Sequence, residues 1–486
     1  MAKKMNMKDI IVLIPGIMGS ILQLEKGKKL WDTSNIIWAM SGLNDNLQNL
    51  KIQGEDDYLR DDLEDGVQAT GLIRVPGVIG GLIKTDDYSS ISNLIIEEFN
   101  VTKGEIHDNN PANFFEFSYD WRRDNRVAAR KLQQLIDKRL PQWREKTGNE
   151  KAKVIILAHS MGGLVARHYL EVLEGWQNCR ALVTFGTPYR GAVNSVNYLA
   201  NEQRLGFADL TDIVRSFTSV YQLIPIYPMV KIGENYQQVV ETQGIPHLDK
   251  KRAEKALAFH REIEQAVEKH QKDAQYLNFK DSYQIIPFVG CSQNTFQSVE
   301  LVDGKIQTSY ELPTINNQKL DIALAEGDGT VPRLSASPIE LDGKLSARYI
   351  VESHSCLQSN LQVFDDVIRL LEDTQNPNVP IRGKLGLIQN QRATISLNID
   401  DLYVASEPIE LRAKILNLNT NIGVLQATIA PVKENEEPIQ LNFRQQDDQW
   451  VLTIDKLSLG LYRLEVETSM KNPLCPTPIK DVFVVL

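Results

Sequence analysis

The stretch "KVIILAHSMGGLVARHYL", residues 153–170, limits the fold more than any other part of this chain. Five consecutive apolar residues, Val154 to Ala158, lead into His-Ser-Met-Gly-Gly. A helical pattern with Leu164, Val165 and Leu170 follows. An uninterrupted apolar strand is buried on both faces, which calls for a parallel sheet covered by helices. A strand that turns sharply into a helix needs small residues at the turn so that the two can approach. Gly162 and Gly163 meet that need; at the first small position of the usual Gly-x-Ser-x-Gly pattern stands Ala158, the next-smallest choice. Such a turn exposes Ser160 as a nucleophile. A serine that only caps a helix would present the same residues.

The surrounding sequence repeats the strand-helix alternation. Residues 10–15, 114–120, 154–158, 181–186, 285–290 and 347–351 are short apolar runs that read as buried strands. Helical patterns lie between several of them, with Val127, Leu132, Leu135, Ile136 and Leu140 near one face in the first. A second, around Leu357, Leu361, Val363, Phe364, Ile368 and Leu371, follows the last run. The expected class is therefore α/β, with a mostly parallel sheet covered by helices. Residues 21–87 and 192–284 break the alternation and read as cap or lid insertions over a site. After residue 380 the texture changes to short alternating strands, as where Tyr462, Leu464 and Val466 alternate with Arg463 and Glu465. Residues 1–375 are thus expected to form one domain. Residues 381–486 are expected to form an Ig-like antiparallel β-sandwich of about 100 residues.

Composition narrows the partners. The net charge is −10, and no segment concentrates Lys and Arg, so nucleic acid is not an expected partner. The four cysteines are scattered without metal-ligand or disulfide-rich spacing. The first apolar run reads as a strand, not a signal peptide, and no run reaches the roughly 18 apolar residues of a membrane span. A cytoplasmic location, with peripheral membrane contact left open through the apolar loop 75–83, is the simplest expectation. No metal constellation, P-loop or dinucleotide fingerprint appears, so no cofactor is expected.

A serine nucleophile needs a base, and the base needs an orienting carboxylate. In sheet-and-helix hydrolases the chain order is Ser, then Asp or Glu, then His. Of seven histidines only His354 lies beyond residue 270, just after the last apolar run. His159 adjoins Ser160 and should point elsewhere, His168 reads as a surface or core residue, and His247, His260 and His270 read as solvated or lid residues. Asp328 stands between two glycines in "LAEGDGTVP", before His354; an ordinary β-turn would look alike, and Asp321 and Glu326 are nearby alternatives. The oxyanion of an acyl-transfer intermediate needs N–H donors. The amides of Met161, after the nucleophile, and of Ile17, in the turn "PGIMGS" after the first strand, are the candidates.

Taken in order, "IPGIMGSIL", "FSYDWRRD", "AHSMGGLVAR", "FGTPYRGA", "YQLIP", "GDGTVP" and the late His354 resemble the lecithin:cholesterol acyltransferase family over residues 8–370. That family includes lysosomal phospholipase A and phospholipid:diacylglycerol acyltransferases. The resemblance implies an α/β-hydrolase fold, an acyl-enzyme on Ser160 and a lipid ester as acyl donor. It matches Asp328 and His354 to the other triad positions and Ile17 to the oxyanion loop. It also implies that Asp120 and Arg122 form a buried pair fixing a loop or else contact substrate, and that Trp31 and Trp38 line the acyl pocket or simply pack. "GTPYRG" departs from the family's usual Gly-Thr-Pro-Trp-Gly-Gly and is expected to alter the pocket near Tyr189 and Arg190. The C-terminal sandwich lies outside the resemblance.

The expected activity is serine-based acyl transfer from a lipid ester to an alcohol, or to water as a phospholipase or lipase. A soluble carboxylesterase and a hydrolase-fold binding protein without catalysis are the alternatives. The sandwich is expected to dock a partner protein or membrane surface, or to act as a stabilising cap.

Overall fold

The structure is a computed structural model. It describes residues 4–32, 45–74, 77–79, 83–85, 88–205, 208–279, 283–315, 318–320, 324–342, 347–376, 393–417, 421–432, 437–472 and 474–485. Among them, seven strands form one sheet. In chain order they are β1 (Ile10–Ile14), β2 (Lys103–Gly104), β3 (Phe114–Glu116), β4 (Val154–His159), β5 (Cys179–Phe185), β6 (Gln284–Cys291) and β7 (Arg348–Val351). Their spatial order is β7-β6-β5-β4-β1-β3-β2. Every neighbouring pair is parallel. All six apolar runs of the sequence are strands here; the short edge strand β2 carries no apolar run.

The helices used below are α1 (Ser89–Glu98), α2 (Asn125–Thr147), α3 (Gly162–Arg167), α4 (Lys250–His270) and α5 (Leu361–Thr374). Side chains alternate across a strand, and the two faces of the sheet use this fully. Val12, Ile14, Ile156 and Ala158 pack in one core with Leu132 and Ile136 of α2 and Leu164 of α3. Ile11, Leu13, Ile155 and Leu157 pack in another with Ile91 and Ile95 of α1 and Val367 and Leu370 of α5. Burial at the level of 1.5–3 kcal/mol per large side chain fixes the strand register, because a one-residue slip would exchange the faces.

The chain enters at β1, turns to β2 and β3 on one side, and crosses back to β4 through β7 on the other. The strand order therefore reverses between β1 and β4. In open parallel sheets the crevice beyond the carboxyl ends at such a point is where ligands bind.

The segment 21–87 is more regular than its polar sequence suggests. Ser20–Leu24, Lys29–Trp31 and Val67–Leu72 form a three-stranded antiparallel sheet. Of the apolar loop 75–83, Gly77–Ile79 pairs with Ile83–Thr85 as a hairpin; residues 75, 76 and 80–82 lie outside the described residues. No described helix is long and apolar enough to cross a membrane.

The C-terminal strands form two sheets around one apolar core. Tyr462, Leu464 and Val466 point into that core while Arg463 is exposed. Pairing is antiparallel except where Leu402–Tyr403 runs parallel to Ile479–Val485. The opposite side of this sheet is covered in part: Leu461, Val482 and Val484 join the core of the parallel-sheet unit.

Candidate active site

Ser160 sits on the turn between β4 and α3 with a φ of 50°. That left-handed conformation is costly for a side-chain-bearing residue, on the order of 1–3 kcal/mol, and persists only where its surroundings hold it. The hold is visible. The Ser160 amide donates to the Phe185 carbonyl at 2.9 Å, and the Ser160 carbonyl accepts from the Thr187 hydroxyl at 2.9 Å. A Cβ on Gly162 would stand 2.5 Å from the Pro15 carbonyl oxygen, and one on Gly163 would stand 2.0 Å from Thr187 Oγ1. Both glycines are required by packing, whereas Ala158 fits fully buried in the sheet core. Its methyl group is accommodated where glycine is usual.

His354 follows β7 in a 3-10 turn, His354–Ser359. Its Nε2 lies 2.9 Å from Ser160 Oγ, and its Nδ1 lies 2.8 Å from Asp328 Oδ2. Asp328 is 1% exposed. Its other oxygen accepts from the amides of Thr330 at 3.0 Å and Val331 at 2.7 Å. An ionised carboxylate held by two amides donates nothing, so Nδ1 carries the proton and Nε2 is left to accept from the serine hydroxyl. The structure thus brings Ser160, His354 and Asp328 into one hydrogen-bonded chain. Of the alternative acids, Glu326 pairs with Arg333 at 3.4 Å, and Asp321 lies outside the described residues.

Two glycines that the sequence reading passed over make room for this chain. A Cβ on Gly186, which has φ 58°, would lie 2.9 Å from both Asp328 Oδ2 and His354 Nδ1. A Cβ on Gly290 would lie 2.3 Å from the Asp328 Cβ. Gly186 follows β5 and Gly290 lies near the end of β6, so Asp328 and His354 approach the sheet only because no side chain stands there.

The turn after β1 closes against Ser160. A Cβ on Gly16 would come within 2.8 Å of Ser160 Cβ, and the Gly19 amide donates to the Gly16 carbonyl at 3.1 Å. Among the described residues, the amides of Ile17 and Met161 donate to no acceptor. Gly16, Ile17, Met18 and Ser160 line a narrow cavity of about 40 Å³ whose other walls include Val214, Val220 and Leu223.

His159 is a correction to the expectation that it points elsewhere. It is buried with its ring centroid 5.1 Å from that of His354. Its Nε2 donates to the His354 carbonyl at 3.1 Å, and its Nδ1 accepts from the Tyr88 hydroxyl at 2.9 Å. Burial, reinforced by the neighbouring His354, pushes its pKa down to about 3, so the ring stays neutral. Tyr88 was not anticipated. Its hydroxyl also accepts from the Gly16 amide at 2.9 Å, which ties the β1 turn to His354 through His159.

Of the histidines in the 192–284 insertion, His247 is exposed, whereas His260 and His270 are buried on α4. His260 donates to the Gln222 carbonyl at 2.7 Å, and His270 faces Glu171 at 3.0 Å. His168 stacks on Phe259 with 5.5 Å between centroids.

Asp120 and Arg122 hold a loop. The Arg122 guanidinium is fully buried and takes the Asp120 carboxylate in a fork at 2.9 and 2.7 Å. It also reaches Asp65 at 2.9 Å and the Leu50 carbonyl at 3.2 Å, so it pins the 21–87 segment. Neither residue lines the cavity at Ser160. Trp31 does not line it either: its indole donates to the Met18 carbonyl at 2.8 Å and packs edge-on against Trp121, supporting the β1 turn from behind. Trp38 lies outside the described residues. Tyr189 and Arg190 do not line this cavity: Tyr189 bonds Thr184 at 2.9 Å and Arg190 pairs with Asp342.

A seven-stranded parallel sheet with its serine on a strained strand-to-helix turn at the switch point defines an α/β-hydrolase. Residues 105–322 match the family model of lecithin:cholesterol acyltransferase. This bears out the resemblance read from the motifs, over a shorter span than those motifs cover. The matched stretch holds the Asp120 to Arg122 motif and Ser160; Asp328, His354 and Ile17 lie outside it. Fold and family match together describe an α/β-hydrolase of the lipid acyltransferase and esterase type. No curated protein matches the chain. Among solved structures, the propeptide form of a Bacillus licheniformis lipase is similar at 12% identity, covering 98% of this chain and 93% of that one, with a TM-score of 0.29.

Proposed function

We propose that this protein is a serine acyl-transfer enzyme that takes its acyl group from a lipid ester. His354 Nε2 removes the Ser160 proton as Oγ attacks the ester carbonyl. The Ile17 and Met161 amides donate to the oxyanion, and Asp328 stabilises the imidazolium. His354 then protonates the leaving alcohol, and a second alcohol or water takes the acyl group. The single observation that carries this reading is the chain Ser160–His354–Asp328 at 2.9 and 2.8 Å, set beside two amides with no acceptor of their own. An oxyanion donor contributes about 2.7–4 kcal/mol to catalysis, which gives those amides a use that packing does not. The apolar walls of the adjoining cavity suit the first carbons of an acyl chain.

The family match favours O-acyl transfer, with phospholipase or lipase activity from the same acyl-enzyme. A phospholipid labelled in its acyl chain, incubated with wild type and Ser160→Ala, tests this. Loss of all labelled product in the variant is expected; product formation equal to wild type would overturn the reading.

A further inference from the structure

The C-terminal sheets grip the two loops that carry Asp328 and His354. Both grips have the same form: side chains on the loop take a backbone amide and a backbone carbonyl of a C-terminal strand, as a neighbouring strand would.

On the acid side the gripping side chain is Gln293, 5% exposed and two residues beyond β6. Its Nε2 donates to the Ile395 carbonyl at 3.2 Å, and its Oε1 accepts from the Leu397 amide at 3.0 Å. Both partners lie on Thr394–Asn398, the edge strand of a four-stranded sheet. Backbone groups on such an edge need partners once they are buried. Gln293 also holds the acid loop through its own backbone. Its amide donates to the Gly327 carbonyl at 3.0 Å, and the Gly327 amide donates back to the Gln293 carbonyl at 3.2 Å, one residue before Asp328. Thr295 adds a tie one residue after Asp328. Its hydroxyl donates to the Gln293 carbonyl at 3.0 Å and accepts from the Gly329 amide at 2.9 Å. Asp328 is thus held on both sides by a segment fastened to the C-terminal sheet.

On the base side the grip falls immediately before His354. The Ser353 hydroxyl donates to the Lys480 carbonyl at 2.7 Å, and the Glu352 carboxyl accepts from the Lys480 amide at 3.1 Å. Lys480 lies on Ile479–Val485, a strand of the other, five-stranded sheet. The two sheets share one apolar core, so the two grips are joined through it. Between the loops themselves, the His354 amide donates to the Asp328 carbonyl at 2.8 Å.

A domain that only capped the parallel-sheet unit would need apolar burial, which Leu461, Val482 and Val484 already supply. It would have no use for polar contacts aimed at the segments beside Asp328 and His354. The bond from His354 Nδ1 to Asp328 Oδ2 at 2.8 Å must hold its geometry while the imidazole gains and loses a proton, and a misplacement of about 1 Å can cost on the order of 100-fold in rate. Reacting groups carried on loops need supporting contacts to reach that precision. We propose that the C-terminal sheets brace the acid and base loops for catalysis, with Gln293 as the positioning residue for Asp328 and Ser353 as the positioning residue for His354. The proposal rests on the acyl-enzyme reading above and extends it beyond the triad.

The test uses the full chain and three variants. Gln293→Met keeps the length of the side chain and removes both of its bonds to the C-terminal strand. Ser353→Ala removes one bond on the base side. Leu140→Ala, in the core beside α2, is a control that lowers stability and touches neither grip. Well below each melting midpoint, kcat and KM are measured on a p-nitrophenyl acyl ester, together with the low-field proton resonance of the His354 Nδ1–H bonded to Asp328. Gln293→Met should lower kcat about tenfold with KM changed by less than about twofold, and should shift or broaden the resonance. Ser353→Ala should do the same to a smaller extent. Leu140→Ala should lower the melting midpoint alone. Wild-type kcat and an unmoved resonance in both Gln293→Met and Ser353→Ala, or an equal loss of kcat in Leu140→Ala, would overturn the proposal and leave the acyl-enzyme reading intact. A wild-type protein that shows the resonance but releases no p-nitrophenol would instead overturn that reading, and with it the catalytic meaning of the brace.

Discussion

Replacing Glu352 with Gln should make the protein more stable at alkaline pH and remove part of its pH dependence. Glu352 is 1% exposed, two residues before His354 and against the C-terminal sheet. Its carboxyl accepts from the Ser353 amide at 2.9 Å, the Lys480 amide at 3.1 Å and Asn360 Nδ2 at 2.9 Å. No cation pairs with it among the described residues. Burial, opposed by those hydrogen bonds and aided by Asp481, pushes its pKa up to about 7 from 4.5. A carboxyl raised in the folded state binds its proton more tightly there than in the unfolded chain. The stability from that proton is complete below the unfolded pKa and is lost as pH rises through about 7. The loss is on the order of 3 kcal/mol. In a chain of this length that corresponds to a melting shift of roughly 3 °C, because unfolding entropy scales with size. Gln keeps the acceptor for the two amides but loses the bond from Asn360, whose Oδ1 is held by the Gln362 and Val363 amides; that cost is the same at both pH values and leaves the difference between them. Thermal midpoints of wild type and Glu352→Gln, compared at pH 5 and pH 8, read the effect. The variant should gain on wild type by about that shift on going to pH 8. Parallel pH profiles for the two proteins would refute the argument.

Other substitutions test separate parts of the site. Gly290→Ala drives a methyl into Asp328 and should lower kcat about 100-fold, the scale of a misplaced reacting group, with circular dichroism unchanged; full activity would contradict the packing. Arg122→Ala breaks a buried ion pair and should lower stability by about 3–5 kcal/mol, seen as a shifted denaturation midpoint; a shift below 1 kcal/mol would mean the pair is solvent-like. Tyr88→Phe removes the hydroxyl that Gly16 and His159 share and should reduce kcat about tenfold with KM little changed; equal kcat would show that the tether does not position the turn.

The parts legible in the sequence were those written locally. The apolar runs at β1, β3, β4, β5, β6 and β7 needed no partner to be recognised, because burial on both faces leaves no polar alternation. Ser160, Asp328 and His354 were found through turn chemistry and chain order, and the structure brings them together. Features made by contacts distant in sequence were not legible. Gly186 and Gly290 look like ordinary strand-end glycines until Asp328 and His354 are seen against them. Tyr88 meets His159 across 71 positions of chain. Gln293 meets Leu397 across 104, which hides the seating of the C-terminal sheets against the site. Trp31 illustrates the converse: its burial was foreseeable, but which surface it supports depends on the path of the β1 turn.

The central claim is that Ser160 is the acyl-accepting nucleophile. A fluorophosphonate probe, followed by peptide mass spectrometry, tests it directly. A single adduct on the peptide bearing Ser160, absent in Ser160→Ala and strongly slowed in His354→Ala, is the predicted result. An adduct that persists at wild-type rate in Ser160→Ala, or that maps to another residue in wild type, would contradict it.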